Sequence, residues 1–327
     1  MESRKAAVAA TDVAPTSGFH PAPSGTANST GPFKLHELVG DAYRVDAILG
    51  IGGMGVVYEA TDMNLPRRVA LKAPRHLVFG GALHTEAQAL AAIRHPAFPM
   101  LHHYGTHDDV PYFTMERIFG ETLESRIAAR REAGRPFSIL EAIDMLEAIA
   151  DGLAAAHRMS IAHRDLKPSN IIFSGDRVVL IDLGLFIPEP LVGPKNVTAG
   201  SLQSIAPEVV LGSVVRGNGP RIDLYALGAL AHELLTGVPP FEGDTTASIL
   251  AKHVSGEIPD PRSKRADVPA PLAELVCELL AKDPFARPEN SETVVWRLSE
   301  MRRVLDRTAT RTTRPPPITT DPPRSVR

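Results

Sequence analysis

The densest chemistry in the chain lies in one run, His163-Arg164-Asp165-Leu166-Lys167-Pro168-Ser169-Asn170. The carboxylate of Asp165 can accept a proton from an attacking hydroxyl, and the ammonium of Lys167 can neutralise a transferring phosphoryl group. The amide oxygen of Asn170 is a hard donor of the kind Mg²⁺ takes. Few surface loops carry these groups in this order by accident. A second carboxylate stands in Asp182-Leu183-Gly184, directly after the apolar run Val178-Val179-Leu180-Ile181. At the end of a buried strand it is a natural metal ligand, although Asp-x-Gly also closes ordinary turns.

Earlier in the chain, Gly50-Ile51-Gly52-Gly53-Met54-Gly55-Val56-Val57 fits G-x-G-x-x-G-x-V. Glycines let a backbone turn tightly and bring its N–H groups against phosphate oxygens, where a Cβ would collide. Dinucleotide-binding turns use the same spacing but need a helix directly after the glycines. Here β-branched Val56 and Val57 lead into Tyr58, which predicts a second strand and puts the glycines at a hairpin tip. In isolation an ordinary glycine-rich hairpin fits as well. Lys72 ends Val69-Ala70-Leu71-Lys72 on a third strand. A strand lysine is costly to desolvate unless phosphate oxygens or a carboxylate pair it. Glu86, in Thr85-Glu86-Ala87-Gln88-Ala89-Leu90, is the best-placed carboxylate on the following helix, though it also fits a solvated position.

The elements that must hold these groups come in two textures. Residues 43–49, 56–60, 68–72 and 111–115 read as short strands, interrupted by a helix over 86–93. From Glu121 onward helices dominate. Ser138 followed by Glu141 is a capping box heading a helix that runs to about Arg158. Asp244 is placed to cap a helix through Lys252, and another helix spans about 290–305. Residues 224–235 read as the most buried helix, too short and too interrupted by His232 and Glu233 to span a bilayer. The pattern predicts an α+β fold, with a small β-rich part carrying one helix ahead of a larger, mainly helical part.

The 327 residues suffice for one large two-lobed domain plus tails. Residues 1–36 are rich in Ala, Pro, Ser, Thr and Gly, and 307–327 in Pro, Thr and Arg; both predict disorder. The domain is expected over 37–306, with a smaller lobe over about 37–116 and a larger one over about 120–306. A net charge of -3 gives no field that would draw nucleic acid. One cysteine, Cys277, excludes an internal disulfide and reads as a buried core thiol. With no membrane segment and no secretory leader, the expected location is cytoplasmic. His102, His103 and His107 permit a metal site, but their spacing suits a strand and turn better. Thr308, Thr310, Thr312 and Thr313, interleaved with arginines, read as a solvated linker first and as autophosphorylation sites second.

With Ala206-Pro207-Glu208 added, the motifs together resemble the eukaryotic-like Ser/Thr protein kinases, most closely the bacterial branch. The resemblance spans roughly residues 43–305. It implies a two-lobed protein kinase fold with ATP in the cleft, Mg²⁺ (or Mn²⁺) as the metal, and protein Ser/Thr hydroxyls as acceptors, this chain's own among them. It implies that Asp165 is the catalytic base, aided by Lys167 and Lys72, and that Asn170 and Asp182 hold the metal. The nucleotide would lie against Leu49, Gly50, Gly52, Gly53, Gly55, Val57, Ala70, Lys72, Glu86, Met115, Glu116, Ile118, Asn170 and Asp182. Met115 would back the adenine pocket, and Glu116 to Ile118 would be the hinge. Asp223 would anchor the catalytic loop, and Glu208 would pair with Arg287. Arg164 would await a phosphate on the activation segment, with Thr198 as the candidate site and Ser201 structural.

The chain departs from the family pattern in three places. Leu183 stands for the usual Phe; Leu202-Gln203-Ser204-Ile205 is unusual for the segment beside the acceptor; and the interval from Lys72 to Glu86 is short, as if the helix lacked its first turn. Two other functions stay open. One is an inactive member acting as a binding module, against which the intact Lys72, Asp165, Asn170 and Asp182 stand. The other is a small-molecule phosphotransferase of related fold, whose members generally lack the Ala-Pro-Glu segment and the Gly-x-Gly-Gly hairpin together.

Overall fold

The computed structural model describes residues 31–184, 202–215 and 217–312, with side chains through 307. Thr198, Ser201, the first thirty residues and the tail beyond 312 lie outside the described residues.

Six antiparallel strands form the smaller lobe: β1 (Leu38–Val39), β2 (Tyr43–Ile51), β3 (Gly55–Asp62), β4 (Arg67–Pro74), β5 (Leu101–His107) and β6 (Val110–Glu116). Their order is β1-β2-β3-β4-β6-β5. Both faces of β3 are buried, and the period of two sorts its side chains. Val56, Tyr58 and Ala60 pack outward with Phe33 and Tyr112, while Val57 joins the core shared with the larger lobe. Phe33 is 5% exposed and its amide donates to the Tyr58 hydroxyl at 3.3 Å. The chain is therefore packed from before residue 37, where disorder was expected. Helix α1 (Gly80–Ala92) lies on the inner face and buries Leu83, Glu86, Ala87, Ala89 and Leu90. It begins six residues ahead of Glu86, so the helix does not lack its start. Gly80 and Gly81 are poor helix formers, which hid that turn from a propensity reading.

The larger lobe opens with β7 (Glu121–Thr122) and α2 (Leu123–Glu132), whose cap Thr122 accepts the Ser125 amide. Helix α3 (Ile139–Arg158) starts at the expected capping box of Ser138 and Glu141. A hairpin follows, β8 (Ile171–Ser174) and β9 (Arg177–Leu180), and β7 pairs with β8. Then come α4 (Pro207–Val210), α5 (Gly219–Thr236), α6 (Thr246–Ser255), α7 (Ala270–Leu279) and α8 (Ser291–Thr312). Thr245, not Asp244, caps α6 by accepting the Ser248 amide at 3.1 Å. Asn290 accepts the Thr293 amide at 2.8 Å at the head of α8. Helix α8 runs to Thr312, past the expected limit near 306, through residues such as Arg307, Ala309 and Arg311 that favour helix. No described helix is long and apolar enough to cross a membrane.

Helix α5 is the axis of this lobe, buried along almost its whole length and ended by Gly237 in the left-handed region at φ 79. Two buried polar anchors act on it or beside it. The carboxylate of Asp223, on α5, is fully buried and accepts from the backbone amides of His163 and Arg164, each at 2.7 Å. Arg287 meets Glu208 in a two-pronged pair at 2.7 and 2.8 Å, and also donates to the carbonyls of Ala281 and Arg221. Cys277 is half-buried rather than a core thiol, because Leu275, Val276 and Leu279 take the inner side of α7. Burial pushes its thiol up.

Removing one partner of the buried Glu208–Arg287 pair strands the other charge. Arg287→Ala and Glu208→Ala are each expected to lower unfolding stability by about 3–5 kcal/mol in urea titrations. A loss under about 1 kcal/mol, the range of exposed pairs, would show that the pair is not isolated from solvent.

His253 makes a pH prediction. It is buried, and its Nδ1 is hydrogen-bonded with the Tyr225 hydroxyl at 2.8 Å. Burial holds the imidazole down to about 4, with the Lys282 ammonium adding to the effect. As pH falls below 6.5 the unfolded chain takes up a proton that the folded chain refuses. Stability therefore declines toward pH 4 and levels off below it, with a His253 contribution of roughly 3 kcal/mol. Urea unfolding of the wild type and of His253→Gln at several pH values reads that contribution as a difference; parallel curves would refute it.

Candidate active site

The hairpin at the tip of β2 and β3 has the strand-turn-strand form that Val56 and Val57 imply. Ile51 pairs with Val56, and the Gly52 amide donates to the Gly55 carbonyl at 2.8 Å. A Cβ on Gly55 would lie 2.9 Å from the Ala73 carbonyl oxygen, so the close approach of β3 to β4 requires glycine there. A Cβ on Gly53 would meet nothing among the described residues, so no contact there explains that glycine. Gly50 stands opposite Val57 in the ladder, and Val57 stands opposite Lys72.

Lys72 is where the two lobes meet. Its Nζ donates to Glu86 Oε1 at 2.7 Å and to Asp182 Oδ1 at 2.9 Å. Burial alone would push this ammonium down, but the carboxylates of Asp182 and Glu86 overcome it and raise its pKa. Glu86 is pushed up by its own burial and by the negative charge of Asp182, against the pull of Lys72. Asp182 follows β9 with φ 59, a left-handed backbone that few non-glycine residues adopt.

The 163–170 loop lies against the same place. Asp165 Oδ2 accepts from Lys167 Nζ at 2.7 Å and from Asn170 Nδ2 at 3.0 Å. Asn170 Nδ2 also donates to the Asp165 carbonyl at 2.9 Å. Both partners are acceptors, which assigns the nitrogen to that side and leaves Oδ1 as the acceptor. The Ile181 amide donates to the Asn170 carbonyl at 2.9 Å, and the Gly184 amide to the His163 carbonyl at 2.8 Å. A Cβ on Gly184 would sit 2.9 Å from that of Asp165. Lys72, Glu86, Asp165, Lys167, Asn170 and Asp182 therefore form one connected set.

The apolar candidates gather above and behind it. Val57, Ala70 and Met115 are buried in the shared core with Leu49 partly buried beside them, and Ala70 pairs with Met115 across β4 and β6. Ile118 is buried with Ile172 and Val179. The Glu116 carboxylate turns elsewhere, accepting from Arg177 NH1 at 2.6 Å and NH2 at 3.2 Å, and its amide donates to the Met100 carbonyl at 2.8 Å. The hydrogen bonds from Arg177 outweigh the opposing effect of burial and hold that carboxyl below the usual range.

Several contributors left no motif. Arg117 reaches back to Glu59 Oε2 at 3.0 Å and donates to the Ile118 carbonyl, bracing the strand that precedes it. His157 on α3 bonds Asp223 Oδ2 at 2.7 Å through Nε2 and Ser291 Oγ at 2.9 Å through Nδ1. These are lone residues whose partners lie far off in sequence, so only tertiary structure brings them out. His102, His103 and His107 divide among separate partners: His102 lies by Arg67, His103 against Tyr43 and Tyr112, and His107 accepts the Gly40 amide. No described group of three His, Cys, Asp or Glu could hold a metal.

Comparison with known proteins agrees with this geometry. The family described as protein kinase domain matches residues 43–296, more than half the chain. Serine/threonine-protein kinase PrkC of Bacillus subtilis is 32% identical over 266 residues, covering 79% of this chain and 40% of its own length. Serine/threonine-protein kinase PknA of Mycobacterium tuberculosis is 33% identical over 258 residues, covering 75% of this chain and 58% of its own. The chain thus spans well under two thirds of these relatives. The crystal structure of the Mycobacterium tuberculosis PknI kinase domain superposes with a TM-score of 0.62 at 23% identity, over 84% of this chain and 99% of that one. At that identity the likeness concerns the fold, which is the two-lobed kinase fold. With its glycine hairpin, its lysine–glutamate pair and its Asp165 loop in one connected set, the chain belongs to the protein kinase family.

Proposed function

We propose that this chain transfers the γ-phosphoryl group of ATP to Ser or Thr hydroxyls of proteins, its own among them. The observation that carries the reading is the pairing of Lys72 with Glu86 and Asp182 beside that of Asp165 with Lys167 and Asn170, the two groups joined by the bond from the Ile181 amide to the Asn170 carbonyl. The names of PrkC and PknA support the Ser/Thr class.

The donor set fits a nucleotide with a divalent cation. Lys72 is a buried, charged ammonium suited to phosphate oxygens. Asp182 and Asn170 offer hard oxygens, and two protein ligands suffice for Mg²⁺ when phosphates and water complete its shell. Gly53 leaves the hairpin tip open where a side chain would otherwise stand. When bound, Mg²⁺ or Mn²⁺ would offset phosphate charge.

On this reading Asp165 receives the proton of the acceptor hydroxyl as the hydroxyl oxygen bonds to the γ-phosphorus, while the bond from that phosphorus to the β,γ-bridging oxygen breaks and ADP leaves. Lys167, held 2.7 Å from Asp165 Oδ2, keeps the carboxylate oriented and sets positive charge beside the transferring group. Lys72 would hold the α- and β-phosphate oxygens, with Glu86, 2.7 Å from its ammonium, keeping it in place. Apolar Leu49, Val57, Ala70 and Met115 would shield the adenine ring from water. Leu183, buried where the family carries Phe, alters packing and not the ligand set.

Most of the acceleration in phosphoryl transfer comes from positioning and charge, with a general base adding about 10²–10⁴-fold. Asp182→Asn is therefore expected to slow transfer at least as much as Asp165→Asn. Single-turnover rates on a generic basic acceptor protein, with a Mg²⁺ titration and Lys72→Ala as a further comparison, measure this. Near-wild-type transfer by Asp182→Asn would remove the metal assignment, and by Lys72→Ala the nucleotide assignment.

Arg164 is exposed beside the loop, suited to dock an added phosphate, which carries about −1.5 to −2 charge. Phosphate is expected at Thr198 after incubation with ATP, read by mass spectrometry. Full activity of Thr198→Ala would remove the regulatory role.

A further inference from the structure

Three successive carbonyls of the 163–170 loop are held by hydrogen bonds. Asn170 Nδ2 donates to the Asp165 carbonyl at 2.9 Å, and the Asn170 amide donates to the Lys167 carbonyl at 3.0 Å. Both donors belong to the loop's own end. The carbonyl between them, on Leu166, accepts from Ser204 Oγ at 3.0 Å, and Ser204 lies 38 residues further along the chain. Leu166 is 2% exposed and Ser204 is partly buried, so this bond is shielded from water.

The position of that carbonyl matters because it shares one planar peptide unit with the Lys167 amide. Fixing the carbonyl fixes the direction in which Lys167 leaves the chain. Lys167 Nζ is the group 2.7 Å from Asp165 Oδ2, so a rotation of this peptide would part the two. Ser204 is itself held from behind. Ala206 is fully buried, and Glu208 is locked by Arg287. The stretch from 202 to 208 therefore has a rigid foot in the core of the larger lobe and reaches the loop through one side-chain hydroxyl.

We infer that Ser204 is a positioning residue: its hydroxyl ties the segment beside the acceptor site to the Leu166 carbonyl and so sets the Asp165–Lys167 geometry. The inference rests on the kinase reading above. It assigns a task to one member of Leu202-Gln203-Ser204-Ile205, the stretch in which this chain departs from the family pattern.

The test compares the full chain with Ser204→Ala and Ser204→Thr. Steady-state kinetics use ATP and a generic basic acceptor protein, with urea unfolding alongside and amide hydrogen exchange across residues 165–170. Losing one neutral hydrogen bond is expected to lower kcat/KM for the acceptor about three- to tenfold in Ser204→Ala. The KM for ATP should stay unchanged, exchange across 165–170 should quicken, and Ser204→Thr should restore both. Wild-type acceptor kinetics in Ser204→Ala would overturn the proposal. So would a rise in the KM for ATP that matches the acceptor loss, since that marks a general structural fault. Failure of a normally folded Ser204→Thr to restore transfer would show that the hydroxyl is not what matters. A wild type that transfers no phosphate would sink the kinase reading instead, and unchanged exchange in Ser204→Ala would still refute the tie by itself.

Discussion

One buried ammonium joins the halves of the molecule. Lys72 leaves β4 in the smaller lobe and meets Glu86 of the same lobe and Asp182 of the larger one. Taking such a charge out of water costs several kcal/mol, and only close, well-made pairing returns it. The position of α1, the end of β9 and the register of β3 against β4 all converge on this requirement. Val57 stands opposite Lys72, and the side chain of Lys72 passes within 3.5 Å of where a Cβ on Gly55 would be. A shift of α1 would withdraw Glu86 and leave the ammonium with one partner. The smaller lobe is thus held to the larger by a polar contact as well as by the apolar core that spans them.

The larger lobe answers with a different device, backbone strain held by buried acceptors. Arg164 and Asp182 both adopt left-handed backbone, at φ 63 and 59. Such conformations cost about 1–3 kcal/mol each and persist only where the surroundings over-determine them. Asp223 supplies that constraint for Arg164 by accepting its amide and that of His163. Lys72 supplies it for Asp182 by holding its carboxylate. Helix α5 therefore matters beyond its packing, because it carries Asp223 to the underside of the loop. His157 and Ser291 extend the same network to α3 and α8.

Features encoded by adjacent residues could be read before folding. The capping box at Ser138, the hairpin between Gly50 and Val57 and the strand ending at Lys72 depend on neighbours in sequence, and each stands where those neighbours imply. The Glu208–Arg287 and Asp223 anchors came from the family resemblance, since nothing local in either sequence names its partner. The beginning of α1 was hidden by two glycines of low helix propensity, and tertiary burial of Leu83 and Ala87 overrode them. The packing of Phe33 was hidden in another way. Its surroundings in sequence are polar and small, and only the outer face of β3, with Tyr58 and Tyr112, gives it a place. The role of Arg177 carries no local signal, and Ser204 and Arg117 stood out only as parts of an unusual stretch and of the hinge, because a lone polar residue has no periodicity and its role is set wholly by what lies across from it.

The charges of the connected set do not balance, and the imbalance bears on how the site would be filled. Lys72 and Lys167 face three carboxylates, those of Glu86, Asp165 and Asp182, which leaves one negative charge in excess. The Glu86 pKa rises first because the group is buried, and the charge of Asp182 adds to that rise by repelling the ionised form. A polyphosphate approaching alone would meet this excess as repulsion, while Lys72 is already occupied on two sides. On the proposed reading, a divalent cation would reverse the sign of the field, and Asp182 would serve it as a ligand. The same electrostatics that tie the lobes together would thus favour a nucleotide accompanied by metal over a bare one, and on the proposed reading Asp182 would serve both ends.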